Sequence, residues 1–117
     1  MQEFYNKIIK NRADVVPFLY KIKAEGGSIA GYGAPAKATT LLHFLGLGAD
    51  TIDFVAEDSP HKVGRYLPGS HIPIVDSSEL YTRNPQYLII LAWNFAEPIM
   101  KKVYDNGYKG KVIVPFP

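Results

Sequence analysis

Apolar positions recur at helical spacing from residue 2 to about 25, with Phe4, Ile8, Val15, Leu19 and Ile22 along one stripe. The pattern predicts a leading helical segment over 1–26, ended where Glu25-Gly26-Gly27 supplies a left-handed glycine cap. Pro17 removes an interior hydrogen bond, so a kink or a split is expected near Asn11 to Asp14, with Asp14 available to cap a second helix. Ser28 to Tyr32 then reads as a buried strand. Ala36 to Leu45 reads as a helix closed by Gly46-Leu47-Gly48, and Thr51 to Ala56 as the next strand.

The apolar pattern lapses over Glu57 to Ser70, where Pro60, Gly64, Pro68 and Gly69 predict an ordered functional loop. His71 to Val75 is a short extended segment that Pro73 confines to an edge or a bulge. Asp76 to Leu80 opens a helical turn that ends at Asn84-Pro85. Tyr87 to Leu91 is a continuous apolar run of the kind buried on both faces of a parallel sheet. A helix from Phe95 to about Asp105, stopped by Asn106-Gly107, and a strand from Lys111 to Val114 complete the chain. Strand and helix alternate, so the fold class is α/β. We expect one Rossmann-like domain over 1–117: an open, mostly parallel sheet of about four to five strands flanked by helices and preceded by the N-terminal helix.

Composition narrows the function classes. Thirteen Lys and Arg stand against eleven Asp and Glu, a net charge of +2 spread along 117 residues, which predicts neither a nucleic-acid nor a membrane partner. No apolar run reaches bilayer length and the N-terminus lacks the pattern of a signal peptide, so the cytoplasm is the expected compartment. There is no cysteine, and the histidines at 43, 61 and 71 lack zinc-type spacing, so no metal is expected.

In an open α/β sheet, ligands bind beyond the C-terminal ends of the strands. Three loops satisfy that rule: Tyr32 to Lys37, Glu57 to Tyr66, and Ala92 to Phe95. In the first, Gly31 and Gly33 permit a tight turn and close backbone approach, and Pro35 suits the first position of a helix. Lys37 falls in that helix's first turn, where a cation opposes the macrodipole by ~0.3–1 kcal/mol unless an anion sits there. The simpler alternative has Lys37 snorkelling into water. Glu57 and Asp58 follow Gly33 by 24 and 25 positions, near where a ribose-binding carboxylate falls in a dinucleotide fingerprint. Gly31, Gly33 and Ala36 fit that fingerprint only imperfectly, and a solvated strand-end acid explains the pair equally well.

His61, Lys62, Arg65 and Tyr66 place three potential cations and a phenol on one polar segment, a mixture suited to phosphate or carboxylate. Arg65 is the best single anion ligand among them, unless it pairs with Glu57 or Asp58 on the surface. Trp93 and Asn94 end the most apolar strand, where a packed indole and a helix cap are the competing readings. No residues form an acid/base or nucleophile constellation, so no catalytic residue is assigned.

Gly31-Tyr32-Gly33-Ala34-Pro35-Ala36-Lys37 resembles the signature of the C-terminal domain of the sugar C-methyltransferases that act on nucleotide-linked deoxysugars. The stretch from Asp58 to Ile74 is similar to that family's second block. Leu91-Ala92-Trp93-Asn94-Phe95 is similar to the third, and Ile113-Val114-Pro115-Phe116-Pro117 also fits. The likeness covers essentially the whole chain. It implies a Rossmann-like domain that binds no cofactor of its own, packed against a methyltransferase domain, in the same or another chain, that carries S-adenosylmethionine. The nucleotide-linked sugar would lie between the two, facing Gly31, Tyr32, Gly33, Ala34 and Lys37, then His61 to Tyr66, with Trp93 and Asn94 nearby. The family's cysteine-rich zinc-binding segment and cofactor domain have no counterpart here. The expectation is therefore an excised domain or a small separate protein, not catalytic by itself. Two other readings remain open on the residues alone: a stand-alone nucleotide or dinucleotide module, and a protein-interaction domain that docks a partner through exposed aromatic residues.

Overall fold

A computed structural model describes residues 7–33, 42–43, 46–67, 71–91 and 95–116. Its strands are β1 (Lys7–Asn11), β2 (Ile29–Tyr32), β3 (Phe54–Glu57), β4 (Ile74–Asp76), β5 (Tyr87–Ile90) and β6 (Lys111–Phe116). Its helices are α1 (Arg12–Ala24), α2 (Ser78–Arg83) and α3 (Ala96–Asp105). The strands form one sheet in the order β1-β6-β5-β2-β3-β4, with every neighbouring pair parallel. From β2 the chain moves outward through β3 to β4, then returns to β5 on the other side. The order therefore reverses between β2 and β5, which makes their C-terminal ends the switch point at which such sheets hold ligands.

The continuous apolar runs have the burial expected of central parallel strands: all four residues of β2, β3 and β5 are buried. Alternate side chains feed two separate cores. On one face Ile29, Val55, Ile89 and Ile113 pack with Val15, Leu19 and Ile22 of α1 and with Leu42 and Leu47. On the other Ala30, Tyr32, Phe54, Leu88, Ile90 and Val112 pack with Leu80 of α2 and with Met100 and Val103 of α3. No helix among the described residues is long and apolar enough to cross a membrane.

Glycine ends α1 and α3 as the sequence predicts, and Asn84 ends α2. Gly26 and Gly107 have φ of 84° and 101°, and the amides of Gly27 and Tyr108 reach back to the Ile22 and Val103 carbonyls. Gly46, with φ 73°, does the same where the Leu47 amide reaches the Leu42 carbonyl. Most of the expected helix at Ala36 to Leu45 lies outside the described residues; residues 42–43 are helical.

The N-terminal segment differs from expectation. Residues 7–11 form an edge strand, and only from Arg12 does the chain become helical, so the sheet has six strands. The break falls inside the predicted Asn11 to Asp14 interval, and α1 then runs through Pro17. Ile8 of the expected helical stripe falls in β1, and Val15, Leu19 and Ile22 fall in α1, so the stripe spans two elements. Neighbouring β-branched Ile8 and Ile9 favour extended backbone, and β6 supplies the parallel ladder from Lys7↔Val112 to Asn11↔Phe116. Pro73 precedes β4 at the sheet edge and bridges Tyr66.

Candidate functional site at the sheet switch point

Strand β2 leads into the site through Gly31, Tyr32 and Gly33. A Cβ on Gly31 would stand 3.0 Å from Leu91 Cδ1 and 3.3 Å from Val55 Cγ2, so this glycine lets β2 lie close to side chains of its neighbours. Gly33 has φ 87°, which favours glycine, and its amide donates to the Ala56 carbonyl at 2.8 Å. The Leu91 amide donates to the Tyr32 carbonyl at 3.1 Å. The end of β2 is thus tied by its backbone to the ends of both β3 and β5.

Side chains repeat that connection. The Tyr32 hydroxyl donates to both Asp58 carboxylate oxygens, at 3.0 and 2.9 Å. Lys102 of α3 donates to the same carboxylate and lies 5.6 Å from the centre of the Tyr32 ring. Burial alone disfavours the Asp58 charge, but hydrogen bonds from Lys102, Ser77 and Tyr32 outweigh it and hold the carboxyl below its ordinary range. Lys102 is held above the ordinary lysine range: burial opposes its charge, and the contacts with Asp58 and Tyr32 prevail. Burial first, then the Asp58 carboxylate, push Tyr32 up to about 12 against the opposing influence of Lys102. This phenol therefore stays protonated near neutral pH and acts as a donor, not as a base.

Glu57 is buried, and its carboxylate accepts the Ser59 amide at 2.9 Å, folding the strand-end acid back onto its own loop. Beyond it, Gly64 at φ 88° turns the chain, and Arg65 to Leu67 run antiparallel to Ile72 to Ile74. The Ile74 amide donates to the Arg65 carbonyl at 2.8 Å, and the Leu67 amide to the Ile72 carbonyl at 2.9 Å. This ladder anchors the backbone of the basic segment while the Arg65 and Tyr66 side chains are exposed. Among the described residues no carboxylate pairs with Arg65. An open groove of about 430 Å³, walled by Ser28, Asn84, Gln86, Lys109, Gly110 and Lys111, lies at the opposite, N-terminal end of the strands.

Residues 1–117 match the family described as the C-methyltransferase C-terminal domain. The chain belongs to that family. The C-methyltransferase NovU of Streptomyces niveus is 38% identical over 119 aligned residues, which cover 99% of this chain and 28% of that protein. The chain thus spans somewhat more than a quarter of the length of the curated relative it matches.

In this C-methyltransferase C-terminal domain the predicted site residues divide into groups. Tyr32, Gly33, Glu57 and Asp58 meet where β2 and β3 end, and Gly31 lies one residue inside β2. His61, Lys62, Arg65 and Tyr66 occupy the following loop, with His61, Arg65 and Tyr66 exposed. Ala34, Lys37, Trp93 and Asn94 lie outside the described residues. Lys102 escaped the sequence reading. It belongs to a correctly placed helix, but its partner is 44 residues away, and the local pattern picks out only the neighbouring Lys101–Asp105 pair.

Proposed function

We propose that this chain is the nucleotide-sugar-binding part of an S-adenosylmethionine-dependent C-methyltransferase. The methyl donor is bound by a separate domain, in the same or another chain, and this domain binds no cofactor of its own. Lys37 and Arg65 meet the phosphate charge, while Glu57, held by the Ser59 amide, and Asp58, held by Tyr32 and Lys102, support the strand ends beside the sugar, with Asp58 acting through Tyr32. Trp93 and Asn94, which follow β5 in sequence, take part in the same substrate contacts. The setting is cytoplasmic and the reaction is methyl transfer to carbon, completed by the donor-binding domain.

The observation that carries this reading is the convergence of the β2, β3 and β5 ends at the reversal of strand order, with an anchored segment presenting Arg65 after β3. The resemblance of the 31–37 and 58–74 segments to sugar C-methyltransferases supplies the substrate class, and the relative named a C-methyltransferase supports the reaction class. A dinucleotide reading needs a strand-end acid turned toward a ribose. Glu57 is instead folded onto the Ser59 amide and Asp58 is engaged by Tyr32 and Lys102, which favours the first reading.

Calorimetric titration with a dTDP-linked deoxysugar, S-adenosylmethionine and NAD tests it. Binding of the sugar nucleotide without the methyl donor is expected. Binding of NAD alone, or of none of the three, would overturn the proposal.

A further inference from the structure

We infer that Lys102 is a positioning residue for the nucleotide-sugar site, acting through Asp58 and Tyr32. The inference rests on the proposed function and adds to it a residue on α3, on the face of the sheet opposite α1.

The argument comes from which elements the network joins. Tyr32 ends β2, Asp58 immediately follows β3, and Lys102 lies on the helix that follows β5. The three strand ends expected to hold ligand therefore contribute, directly or through the next helix, to one chain of contacts: Lys102 to Asp58, and Asp58 to the Tyr32 hydroxyl. Tyr32 is only 3% exposed and is followed at once by Gly33, whose positive φ sets the direction in which the chain leaves β2. The Tyr32 carbonyl and the Gly33 amide are already bonded to β5 and β3, so holding the ring leaves little freedom for that exit. A surface ion pair alone contributes only ~0–1 kcal/mol to stability, so the effect of Lys102 is expected in orientation more than in overall stability. Preorganised supporting contacts of this kind act on affinity by holding the ligand-facing group in one geometry.

The test is a double-mutant cycle of Lys102→Met and Tyr32→Phe, read as the Kd for a dTDP-linked deoxysugar by calorimetry on variants whose circular dichroism matches the parent. Lys102→Met should weaken binding about threefold to tenfold, while Lys102→Arg should restore it. In the Tyr32→Phe background, Lys102→Met should have almost no further effect, because the hydroxyl through which it acts is gone. A purely structural lysine would keep its full effect in that background, and this result would overturn the inference, as would an unchanged Kd for Lys102→Met. Should Lys102→Met not fold, Asp58→Asn takes its place in the cycle with the same expected non-additivity. Absence of binding by the parent chain would overturn the site reading and the inference together. Parent binding weakened by Arg65→Ala but not by Lys102→Met overturns the inference alone.

Discussion

The hydroxyl of Tyr32 lies 2.9 Å from an oxygen of Asp58, a residue 26 positions further along the chain, and the two close the polar end of an otherwise apolar sheet face. Tyr32 belongs to a fully buried strand, so its ring is fixed by the core while its hydroxyl reaches the strand end. That division explains why a tyrosine fits here. The ring supplies apolar contact, and the one polar atom finds a charged partner.

Replacement of Asp58 by Asn should lower the Tyr32 phenol from about 12, because the carboxylate charge that opposes its ionisation is gone while Lys102 still favours it. Carbon-13 spectroscopy of labelled tyrosine ring carbons would follow this titration directly. The sign for stability follows from the raised value. Tyr32's contribution is fully present below pH ~10, the unfolded value, and is lost as pH rises toward 12. Urea midpoints measured at increasing pH should therefore fall through that window in the parent, and Tyr32→Phe should show a smaller fall. An alkaline limb unaffected by Tyr32→Phe would assign the loss to other groups.

Gly31→Ala tests whether this glycine is needed for packing. The new methyl would meet Leu91 Cδ1 at 3.0 Å, and Leu91 is itself buried at the end of β5. Overpacking of this kind costs about 1–3 kcal/mol, so the urea midpoint should drop. A second change, Leu91→Val, should recover part of the loss by making room. If Gly31→Ala is neutral, the Leu91 side chain yields to the new methyl.

Much of this arrangement is legible in the sequence because its causes are local. Tyr87 to Ile90 is apolar at every position, as a strand covered on both faces can be, and Gly26, Gly46 and Gly107 follow helical patterns with the one residue that readily takes a positive φ. The reading fails where the cause is distant. Residues 7–11 become a strand through a partner more than a hundred residues away in β6, which no local stripe reveals. Lys102 is one of two adjacent lysines on a surface helix, and only the fold brings it to Asp58. Gly31 has the residue type expected of a phosphate turn, yet its nearest reason is the side chain of Leu91, fixed by the pairing of β2 with β5.

Tyr108→Phe should destabilise the sheet at its other end. The buried Tyr108 hydroxyl donates to the Pro85 carbonyl at 2.9 Å, joining the turn after α3 to the approach to β5. Removing it leaves that carbonyl without this donor, at a cost of about 1–3 kcal/mol. A chemical-denaturation curve should show a lower midpoint with an unchanged slope. Because this contact is remote from the C-terminal ends of the strands, the Kd for a dTDP-linked deoxysugar should be unchanged at temperatures where both proteins are folded.

Arg65→Ala should give the opposite pattern. Its guanidinium is exposed and has no carboxylate partner among the described residues, while its backbone is fixed by the ladder to Ile74, so truncation leaves the fold as it was. Stability should change by no more than about 0.5 kcal/mol. Loss of a charge-assisted contact to phosphate amounts to about 1.5–3 kcal/mol, or roughly a tenfold to hundredfold weaker Kd for the sugar nucleotide. Arg65→Lys should recover only part of that loss, since an ammonium keeps the charge but not the planar fork that grips two oxygens at once. Calorimetry of the three proteins decides it: equal affinities for parent and Arg65→Ala would remove Arg65 from the phosphate site and leave Lys37 as its cation.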